Sequence, residues 1–267
     1  MRLAFIGAGR MGEAFLEALI RANAAAPDEC LAADVSPERR EQIARRLGVH
    51  TTDDNRRAAG SAEVLFLAVK PQQLAAVLEE IATVVAQRKP LVLSIAAGKR
   101  LAFLENRLPE ARVIRIMPNV GCLVGEGMSV YTAGHRATVG DRALAQRLLE
   151  VCGRAMELPE ETFDAVTALS GSGPAFFARF LAAMVDAATR EGLPEREARL
   201  LAAQTMLGTA RLLLGPQPDP RALIATVASP HGTTAEGLTV LDESGFDALV
   251  GRMLAAAARR SRELSEG

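Results

Sequence analysis

The sequence is poor in aromatic residues and in net charge. Among its 267 residues there is no Trp and one Tyr, and aromatic residues make up 4%. Proteins that hold single-stranded nucleic acid stack its bases on aromatic side chains. A formal net charge of −1 offers no basic field to nucleic acid or to an anionic membrane. We therefore expect neither partner, whereas 49% hydrophobic and 24% charged residues predict a packed globular core.

Cysteine is scarce as well, and Cys30, Cys122 and Cys152 lie far apart in the chain. An odd number at such distances gives neither a disulfide framework nor a metal-ligand spacing, so we expect no metal site. No signal-peptide pattern precedes the first apolar run, and no apolar run approaches the ~20 residues that span a bilayer. These features predict a cytoplasmic protein without a membrane partner.

Strand and helix patterns alternate from residue 2 to about residue 158 and predict a parallel sheet covered by helices on both faces. The fully apolar run 64–69 is typical of a strand buried on both faces. The predicted strands are 2–7, 30–35, 64–69, 91–96 and 112–117, with 128–132 as an added edge strand. The predicted helices are 11–22, 37–47, 71–86 and 143–151.

Strand patterns end after Leu158, and the rest of the chain has helical apolar spacing. The predicted helices are 174–191, 194–214, 234–243 and 246–264, with breaks at 192–194 and 215–218. The fold class is therefore an α/β Rossmann domain with a doubly wound, mostly parallel sheet, followed by an all-α domain. We place the first domain at 1–159 and the second at 160–267. The second is too short and too apolar, as at 201–214, to bury every face alone, which predicts a homodimer through it.

The segment Gly7-Ala8-Gly9-Arg10-Met11-Gly12 matches the dinucleotide pattern G-x-G-x-x-G. It follows a predicted strand, begins a helix and lies in a βαβ unit, which is the context that this pattern requires. The three glycines allow a tight turn, a close approach of the backbone to a pyrophosphate, and packing of helix on strand. The alternative is a glycine-rich turn without a ligand.

Asp34 ends the second strand, 22 positions after Gly12. An acidic residue there hydrogen-bonds the ribose 2′-hydroxyl of NAD and repels the 2′-phosphate of NADP, so the expected cofactor is NAD(P)H with a preference for NADH. Arg39 and Arg40 partly offset this repulsion in our prediction. Asp34 as a mere turn cap is the alternative.

Three further strand ends lie at the same edge of the predicted sheet, where open α/β sheets bind ligands. The candidate cofactor contacts there are Ala68, Val69 and Lys70, then Ala96, Ala97 and Gly98, and finally Asn119. A solvated lysine, a tight turn and a turn-forming asparagine are the respective alternatives.

Two loops rich in glycine and serine precede helices in the second half, at 170–174 and 229–236. Amides at a helix N-terminus bind anions without basic side chains, so each loop is a candidate carboxylate site. Thr233 and Glu236 also match a T-x-x-E capping box. Ordinary helix starts are the alternative for both.

Over essentially its whole length the sequence resembles pyrroline-5-carboxylate reductases. The segments that carry the resemblance are the glycine loop, LFLAVKPQ (65–72), VIRIMPNV (113–120), DAVTALSGSGPAF (164–176) and the SPHGTT loop (229–234) with LDESGF (241–246). DAVTALSGSGPAF is highly specific, whereas the glycine loop alone is not.

This resemblance implies reduction of 1-pyrroline-5-carboxylate to proline with NAD(P)H, and dimers intertwined through the helical domains. Larger rings of dimers also occur in the family. It implies that Ser229, Gly232, Thr233 and Thr234 surround the substrate, with amides holding the carboxylate and Thr234 holding the ring nitrogen. Ser172 is a further candidate substrate contact, and Thr234 is the candidate catalytic residue.

The sequence departs from the family at three places. The family often has Gly in place of His231 and Thr-Pro in place of Val120-Gly121. It frequently has a segment suited to NADPH in place of Asp34-Val35. The first two departures bear on fine active-site geometry, and the third bears on cofactor preference.

Other functions fit parts of the sequence. β-Hydroxyacid dehydrogenases share the layout but rely on a lysine in the helical domain, and this chain has no lysine after Lys99. Another imine reductase of the same layout is a second alternative. A dinucleotide-binding redox sensor without turnover is the third, and it would not need the two loops.

Overall fold

An eight-stranded sheet forms the N-terminal half of the protein in a computed structural model that describes residues 1–215 and 219–266. The strand order is β3-β2-β1-β4-β5-β6-β7-β8. The first six strands are mutually parallel, β7 is antiparallel to β6, and β8 is parallel to β7. The strands are β1 (Leu3–Ile6), β2 (Cys30–Ala33), β3 (His50–Thr52), β4 (Val64–Leu67), β5 (Leu91–Ser94), β6 (Arg112–Met117), β7 (Gly127–Ala133) and β8 (Gly153–Glu157).

Helices cover both faces of this sheet, and helices joined by loops form the C-terminal part of the described chain. They are α1 (Arg10–Arg21), α2 (Pro37–Leu47), α3 (Asn55–Ser61), α4 (Pro71–Arg88), α5 (Leu101–Arg107), α6 (Val139–Glu150), α7 (Phe163–Val166), α8 (Gly173–Arg190), α9 (Glu195–Leu213), α10 (Pro220–Val227), α11 (Thr233–Glu243) and α12 (Phe246–Glu266). A strand order of 3-2-1-4-5-6 with helices on both faces is that of the Rossmann fold. The predicted fold class is therefore confirmed.

The core lies on the two faces of the central strands. Every residue of β1, β2, β4 and β5 is buried, as expected for parallel strands with helices on both sides. On one face the Phe5 and Phe66 rings stack with centroids 4.4 Å apart, and Phe15 of α1 packs on Phe66. This packing fixes the start of α1 against the ends of β1 and β4.

Several elements differ from the sequence prediction. The predicted edge strand 128–132 is β7, which is not at the edge because β8 pairs outside it. The prediction missed β3, β8, α3, α5 and α10, which are short or lack a clear apolar period. Helix α6 begins at Val139 rather than at residue 143, because Thr138 and Asp141 form a capping box.

The described chain forms two compact units, Met1–Ser172 together with the end of α12 from Ala257, and Gly173–Ala256. Residues 160–172 belong to the first unit because they contact the sheet. Glu160 pairs with Arg115 at 2.7 Å, and the Arg115 guanidinium lies 4.5 Å from the centre of the Phe163 ring. The first compact unit thus extends past residue 159. The domain boundary that the sequence predicts between 159 and 160 stays a prediction.

The second unit is helical and leaves much apolar surface exposed. The predicted break at 192–194 is confirmed between α8 and α9. The predicted break at 215–218 includes 216–218, which lie outside the described residues. Among residues 173–215 and 219–256, those classed as buried are Gly173, Val185 and Ala198.

Contrary to the expectation from the sequence, one helical run in the described residues is long and apolar enough to cross a membrane by length and composition alone. It covers 160–190 and contains a window of mean hydropathy 1.3. Only 17% of that window is buried within the single chain. An apolar helix with so little cover needs a partner surface for its exposed face.

Candidate active site

A cleft of about 680 Å³ lies at the carboxyl ends of the central strands. Six of the residues predicted to contact a cofactor line it, namely Gly7, Gly9, Asp34, Ala68, Val69 and Lys70. The ends of β1, β2 and β4 therefore meet at one cleft, where open α/β sheets bind their ligands.

The glycine loop between β1 and α1 is packed too closely for larger residues. Gly7 has a φ of +96°, and a Cβ there would lie 2.7 Å from the Ala68 carbonyl carbon. A Cβ on Gly12 would overlap the Gly7 carbonyl oxygen. Gly9 differs, because a Cβ on it would have nothing within 4 Å in the protein. The space beside Gly9 is open to the cleft, as a close approach by a ligand requires.

Helix α1 begins directly after this loop, with Gly9 as its N-cap residue. Arg10 and Met11 are the first two helical residues, so their amides have no intrahelical carbonyl to which they can donate. Such amides and the helix dipole favour a bound phosphate. The loop therefore fits a dinucleotide pyrophosphate, as the sequence pattern predicts.

The Asp34 carboxylate, at the end of β2, is bonded to the glycine loop that follows β1. One oxygen accepts a hydrogen bond from the Ala8 amide at 2.9 Å, and the other accepts one from the Ser36 amide at 3.0 Å. Asp34 therefore caps the turn after β2 and at the same time lines the cleft. The sequence left a turn cap and a cofactor contact as alternatives for Asp34. Its side chain caps the turn and also lines the cleft.

The two arginines that follow Asp34 are engaged within the protein. Arg39 donates to the Ala8 carbonyl and pairs with Glu13 of α1. Arg40 donates to the Asp34 carbonyl at 2.8 Å and lies 3.7 Å from the Asp53 carboxylate. Neither side chain is more than about a fifth exposed, at 21% and 20%.

Sequence reasoning missed the far wall of the cleft. Asn55, Gln73 and Glu80 line it, and the Asn55 side chain donates to Glu80 at 2.8 Å. Asn55 is the first residue of α3, a helix that was not predicted. Asp54 caps α3 by accepting from two backbone amides, so the sequence Asp-Asn after a short polar strand was the available signal.

A second opening of about 530 Å³ lies next to the end of β5. Ala97 and Gly98, both predicted cofactor contacts, line it together with Lys99 and Phe103. Ala96 is buried and does not line it. The structure thus divides the predicted cofactor residues between two neighbouring openings of the first unit.

Asn119 holds together the segment that follows β6. Its side-chain oxygen accepts from the Gly121 and Met128 amides, at 3.1 and 3.2 Å, and its side-chain nitrogen donates to the Ser170 hydroxyl at 3.2 Å. Asn119 therefore connects the end of β6 to the glycine–serine segment that precedes α8.

That glycine–serine segment is not the loop that the sequence predicted. Thr167–Gly171 forms a π-helical turn, and the Ser172 amide donates to the Thr167 carbonyl at 2.8 Å. The prediction of a loop with unpaired amides before α8 is therefore wrong at Ser172, because the helix continues through the segment with a wider turn. π-Helical turns are frequent at functional sites, so the Ser172 side chain stays a candidate contact.

The loop before α11 forms a tight turn at Ser229–Gly232, where the Gly232 amide donates to the Ser229 carbonyl at 3.0 Å. A Cβ on Gly232 would overlap the Ser229 hydroxyl. His231 has a left-handed φ of 56°, which suits the glycine that the family often has there.

The predicted capping box between Thr233 and Glu236 is absent. Gly232 is the N-cap of α11 and no side chain caps it, because the helix begins one residue before the predicted start. Thr233 and Thr234 are thus the first two helical residues, whose amides lack intrahelical acceptors. The loop keeps the amides that an anion needs.

No group of three or more His, Cys, Asp or Glu side chains that could hold a metal occurs in residues 1–215 and 219–266. The cleft instead has a glycine loop, a helix N-terminus and a carboxylate at the end of the second strand. Dinucleotide-dependent oxidoreductases bind their cofactor with this arrangement, and the first unit belongs to that class of domain.

Comparison with known proteins agrees with this class and narrows it. Residues 2–98 match the family model for NADP oxidoreductase, coenzyme F420-dependent, and residues 160–264 match that for pyrroline-5-carboxylate reductase dimerisation. The chain is 41% identical over 266 residues to pyrroline-5-carboxylate reductase 3 of Rattus norvegicus, covering 99% of this chain and 96% of the relative. It is 39% identical to pyrroline-5-carboxylate reductase of Methanosarcina acetivorans, covering 99% of this chain and 98% of the relative.

Solved structures give the same result. A pyrroline-5-carboxylate reductase from Coxiella burnetii has a TM-score of 0.93 at 34% identity, covering 99% of this chain and 98% of its own. Plasmodium falciparum pyrroline carboxylate reductase with NADP bound has a TM-score of 0.88 at 27% identity, with the same coverage of both chains. The chain belongs to the pyrroline-5-carboxylate reductase family, and the predicted resemblance is confirmed.

The open space beside Gly9 allows the ligand role of the loop to be separated from its structural role. We expect Gly9→Ala to leave the melting temperature within about 2 °C of wild type, since the new methyl meets no protein atom. The same methyl should raise the NADH dissociation constant about tenfold or more, or about 1.4 kcal/mol. Fluorescence titration of NADH and thermal unfolding measure the two quantities.

Gly140→Ala is the matched control, because a Cβ there makes only an ordinary contact at 3.6 Å with the Thr138 hydroxyl, away from the cleft. It should leave the NADH dissociation constant unchanged and should not lower the melting temperature, because alanine favours a helix more than glycine does. Unchanged NADH affinity in Gly9→Ala would show that the pyrophosphate does not lie against this loop.

Proposed function

We infer that this protein reduces 1-pyrroline-5-carboxylate to L-proline with NAD(P)H, the last step of proline biosynthesis. The observation that carries this inference is the full-length match to proteins named for the reaction, at 41% identity, combined with the cleft at the glycine loop. The proposal covers both units, because the relatives match the Rossmann half and the helical half together.

The first unit fits a bound dinucleotide. Arg10 and Met11 present the amides for the pyrophosphate, and Asp34 presents a carboxylate to the ribose. Ala97 and Gly98, with little or no side chain, leave room for a flat ring beside the backbone after β5. When bound, the reduced nicotinamide supplies a hydride for the imine carbon C5.

The helical unit supplies the substrate contacts in this proposal. The Gly232 and Thr233 amides hold the carboxylate, and the Thr234 hydroxyl hydrogen-bonds the ring nitrogen, with Ser172 and Ser229 as neighbouring contacts. A protonated imine is already electrophilic, so these residues act by positioning the ring and by excluding water. Thr234 is the candidate catalytic residue in that supporting role.

Two alternatives make different predictions in one assay. A dinucleotide sensor without turnover binds NADH but does not oxidise it in the presence of the imine. A β-hydroxyacid dehydrogenase oxidises hydroxyacids with NAD⁺ but needs a lysine in the helical domain, where this chain has none after Lys99. Oxidation of NADH that requires pyrroline-5-carboxylate and yields proline supports our proposal over both.

Thr234→Ala tests the assignment of the substrate loop. Losing one hydrogen bond in a desolvated site costs about 1–3 kcal/mol, so kcat/KM for the imine should fall roughly 5- to 150-fold. The NADH dissociation constant should stay within about twofold, a change of less than 0.5 kcal/mol. Steady-state kinetics and NADH titration give both values.

Thr239→Ala makes the same change in the same helix, where the Thr239 hydroxyl donates only to the Ala235 carbonyl. It should leave kcat/KM unchanged. If Thr234→Ala weakened NADH binding as much as it weakened use of the imine, the loop would belong to the cofactor instead.

Cofactor preference follows from the surroundings of Asp34. Its carboxylate is held by the Ala8 and Ser36 amides and cannot turn away from the cleft without losing both hydrogen bonds. Arg39 and Arg40, which the sequence offered as partial compensation, are bound to Glu13, Ala8 and the Asp34 carbonyl. A 2′-phosphate would thus meet a fixed negative charge, and we propose a preference for NADH.

Asp34→Ser should lower the KM for NADPH relative to the KM for NADH about tenfold, or about 1.4 kcal/mol, because it removes the repulsion. The ratio is the proper measure, since the substitution also removes an acceptor for the Ala8 amide. Asp53→Ser removes an exposed carboxylate that does not line the cleft and should change the ratio by less than about twofold. A wild-type protein that prefers NADPH tenfold would contradict the proposal.

The apolar surface of the helical unit indicates the assembly. Phe177, Leu200 and Leu201 are 59%, 69% and 56% exposed in the single chain. Residues 160–264 match a dimerisation family, so we propose that a second copy covers this surface, in a homodimer or a ring of such dimers. The same cover accounts for the exposed face of the run 160–190 without a membrane, in a cytoplasmic protein.

Leu201→Glu should weaken the dimer at least tenfold, since it puts a charge on the apolar surface that we propose the second copy covers. Val139→Glu is the matched control, because Val139 is 83% exposed and lies at the start of α6 in the other unit. Sedimentation equilibrium measures both. A wild-type monomer at micromolar concentration with full activity would overturn the proposed assembly.

A further inference from the structure

Two of the three cysteines come together in the first unit, far from each other in sequence. Cys122 lies in the short turn Val120–Val124 after β6, and Cys152 directly precedes β8. Both are buried in the same apolar cluster, at 3% and 1% exposure. The turn and the strand meet because β7 pairs with β8 from Gly127 and Gly153 onward.

Gly127 is the residue that lets the two cysteines approach. Its amide donates to the Cys152 carbonyl at 2.8 Å. A Cβ on Gly127 would overlap the Cys122 sulfur and would lie 2.7 Å from the Cys122 amide nitrogen. The Cys122 side chain therefore occupies the space that a side chain at 127 would need, next to the backbone of Cys152.

The Cys122 sulfur lies against Gly127, the Cys152 sulfur lies 4.0 Å from the Ala14 carbonyl oxygen, and Ala14 and Cys122 line one cavity, so the two thiols are neighbours. The hydrogen bond from the Cys152 thiol lowers the pKa of Cys122 to about 7, with a smaller contribution from the Ser129 hydroxyl and against the effect of burial. The same hydrogen bond, followed by burial, raises the pKa of Cys152. Cys122 is thus the more acidic thiol of the pair, and Cys152 is the less acidic one.

Cys122 is reachable by small molecules although it is buried. A cavity of about 140 Å³ extends to it from the surface between α1 and the turn. Arg10, Arg21 and Arg46 line this cavity, together with Glu13 and Glu17. The volume holds a few molecules of the size of water or hydrogen peroxide.

We propose that Cys122 and Cys152 form a peroxide-oxidisable dithiol site, with Cys122 as the reacting and Cys152 as the resolving cysteine. The Cys122 thiolate attacks one oxygen of the peroxide, the O–O bond breaks, and hydroxide leaves. Cys122 is then a sulfenic acid. The Cys152 sulfur then attacks the Cys122 sulfur, an S–S bond forms, and water leaves with the Cys152 proton. The peroxide takes up the two electrons that the thiols lose.

Oxidation at this pair would act on the segment that carries Asn119. The turn that holds Cys122 begins directly after Asn119, which binds its Gly121 amide and the Ser170 hydroxyl. A bond between Cys122 and Cys152 constrains that turn against the start of β8. The cavity that reaches Cys122 adjoins the glycine loop at Arg10, whereas the cleft is lined by Gly7 and Gly9, and the oxidation does not depend on the proposed reduction.

Cys30 is an internal control in the same chain. It is buried, and burial raises its pKa to about 11. Cys122 has the lower pKa of the two and therefore the larger thiolate fraction at pH 7. A cavity also reaches Cys122, so we expect it to react at least about tenfold faster than Cys30.

The test treats the reduced, full-length protein with stoichiometric hydrogen peroxide, blocks the remaining thiols by alkylation and maps tryptic peptides without reduction. The expected product joins peptide 116–136 to peptide 148–154 with the loss of two hydrogen atoms, while Cys30 is alkylated. In Cys152→Ala the reaction should stop at a Cys122 sulfenic acid, which dimedone captures. Cys30→Ala should form the joined peptides as wild type does.

Two results would overturn the proposal. One is wild-type protein in which Cys122 remains fully alkylatable after peroxide treatment. The other is oxidation of Cys30 at the rate of Cys122. Each is read from the wild-type protein, so neither depends on whether a variant folds.

Discussion

The hydrogen bond from the Ala8 amide to the Asp34 carboxylate determines how the glycine loop meets the second strand. The loop reaches this position because Gly7 passes close to the Ala68 backbone and Gly12 passes close to Gly7. Arg39 then joins α2 to the same loop through the Ala8 carbonyl and Glu13. The cleft, the exposed start of α1 and the fixed charge at Asp34 all depend on this packing. The NADH preference that we propose therefore rests on the packed loop rather than on one exposed side chain.

The helical unit depends on a different constraint, which is the shortage of buried surface in a single chain. Its helices bury few residues between themselves and leave Phe177, Leu200 and Leu201 more than half exposed. Apolar side chains that are exposed to this extent stabilise a structure only when another surface covers them. A second copy provides that cover in our account, and the proposed substrate loop before α11 is then held by an assembled domain.

Much of the fold could be predicted from the sequence, because its strongest signals are local. The apolar run 64–69 and the glycine loop predict buried strands and a cofactor turn without knowledge of the tertiary structure. Strands β3 and β8 could not be found in this way, since His50–Thr52 is polar and Gly153–Glu157 is mostly exposed. Their pairing partners, rather than their own residues, make them strands.

The candidate site shows the same division. Gly7 and Asp34 were predicted from the glycine pattern and the spacing after it, and Lys70 was predicted because strand ends meet at one edge of a parallel sheet; all three line the cleft. The ion pair between Arg39 and Glu13 was not predicted, because it joins residues 26 positions apart on different helices. The π-helical turn at Thr167–Gly171 was also missed, since serine and glycine normally indicate a loop and only the continuing helix reveals otherwise.

The central claim is that the two units together transfer a hydride from the nicotinamide to the imine carbon of pyrroline-5-carboxylate. The most direct measurement uses NADH that carries deuterium at both C4 positions and determines the product by NMR. Our account predicts proline with one deuterium at C5, formed in an amount equal to the NADH consumed. Proline without deuterium, or NADH consumption without proline, would contradict it.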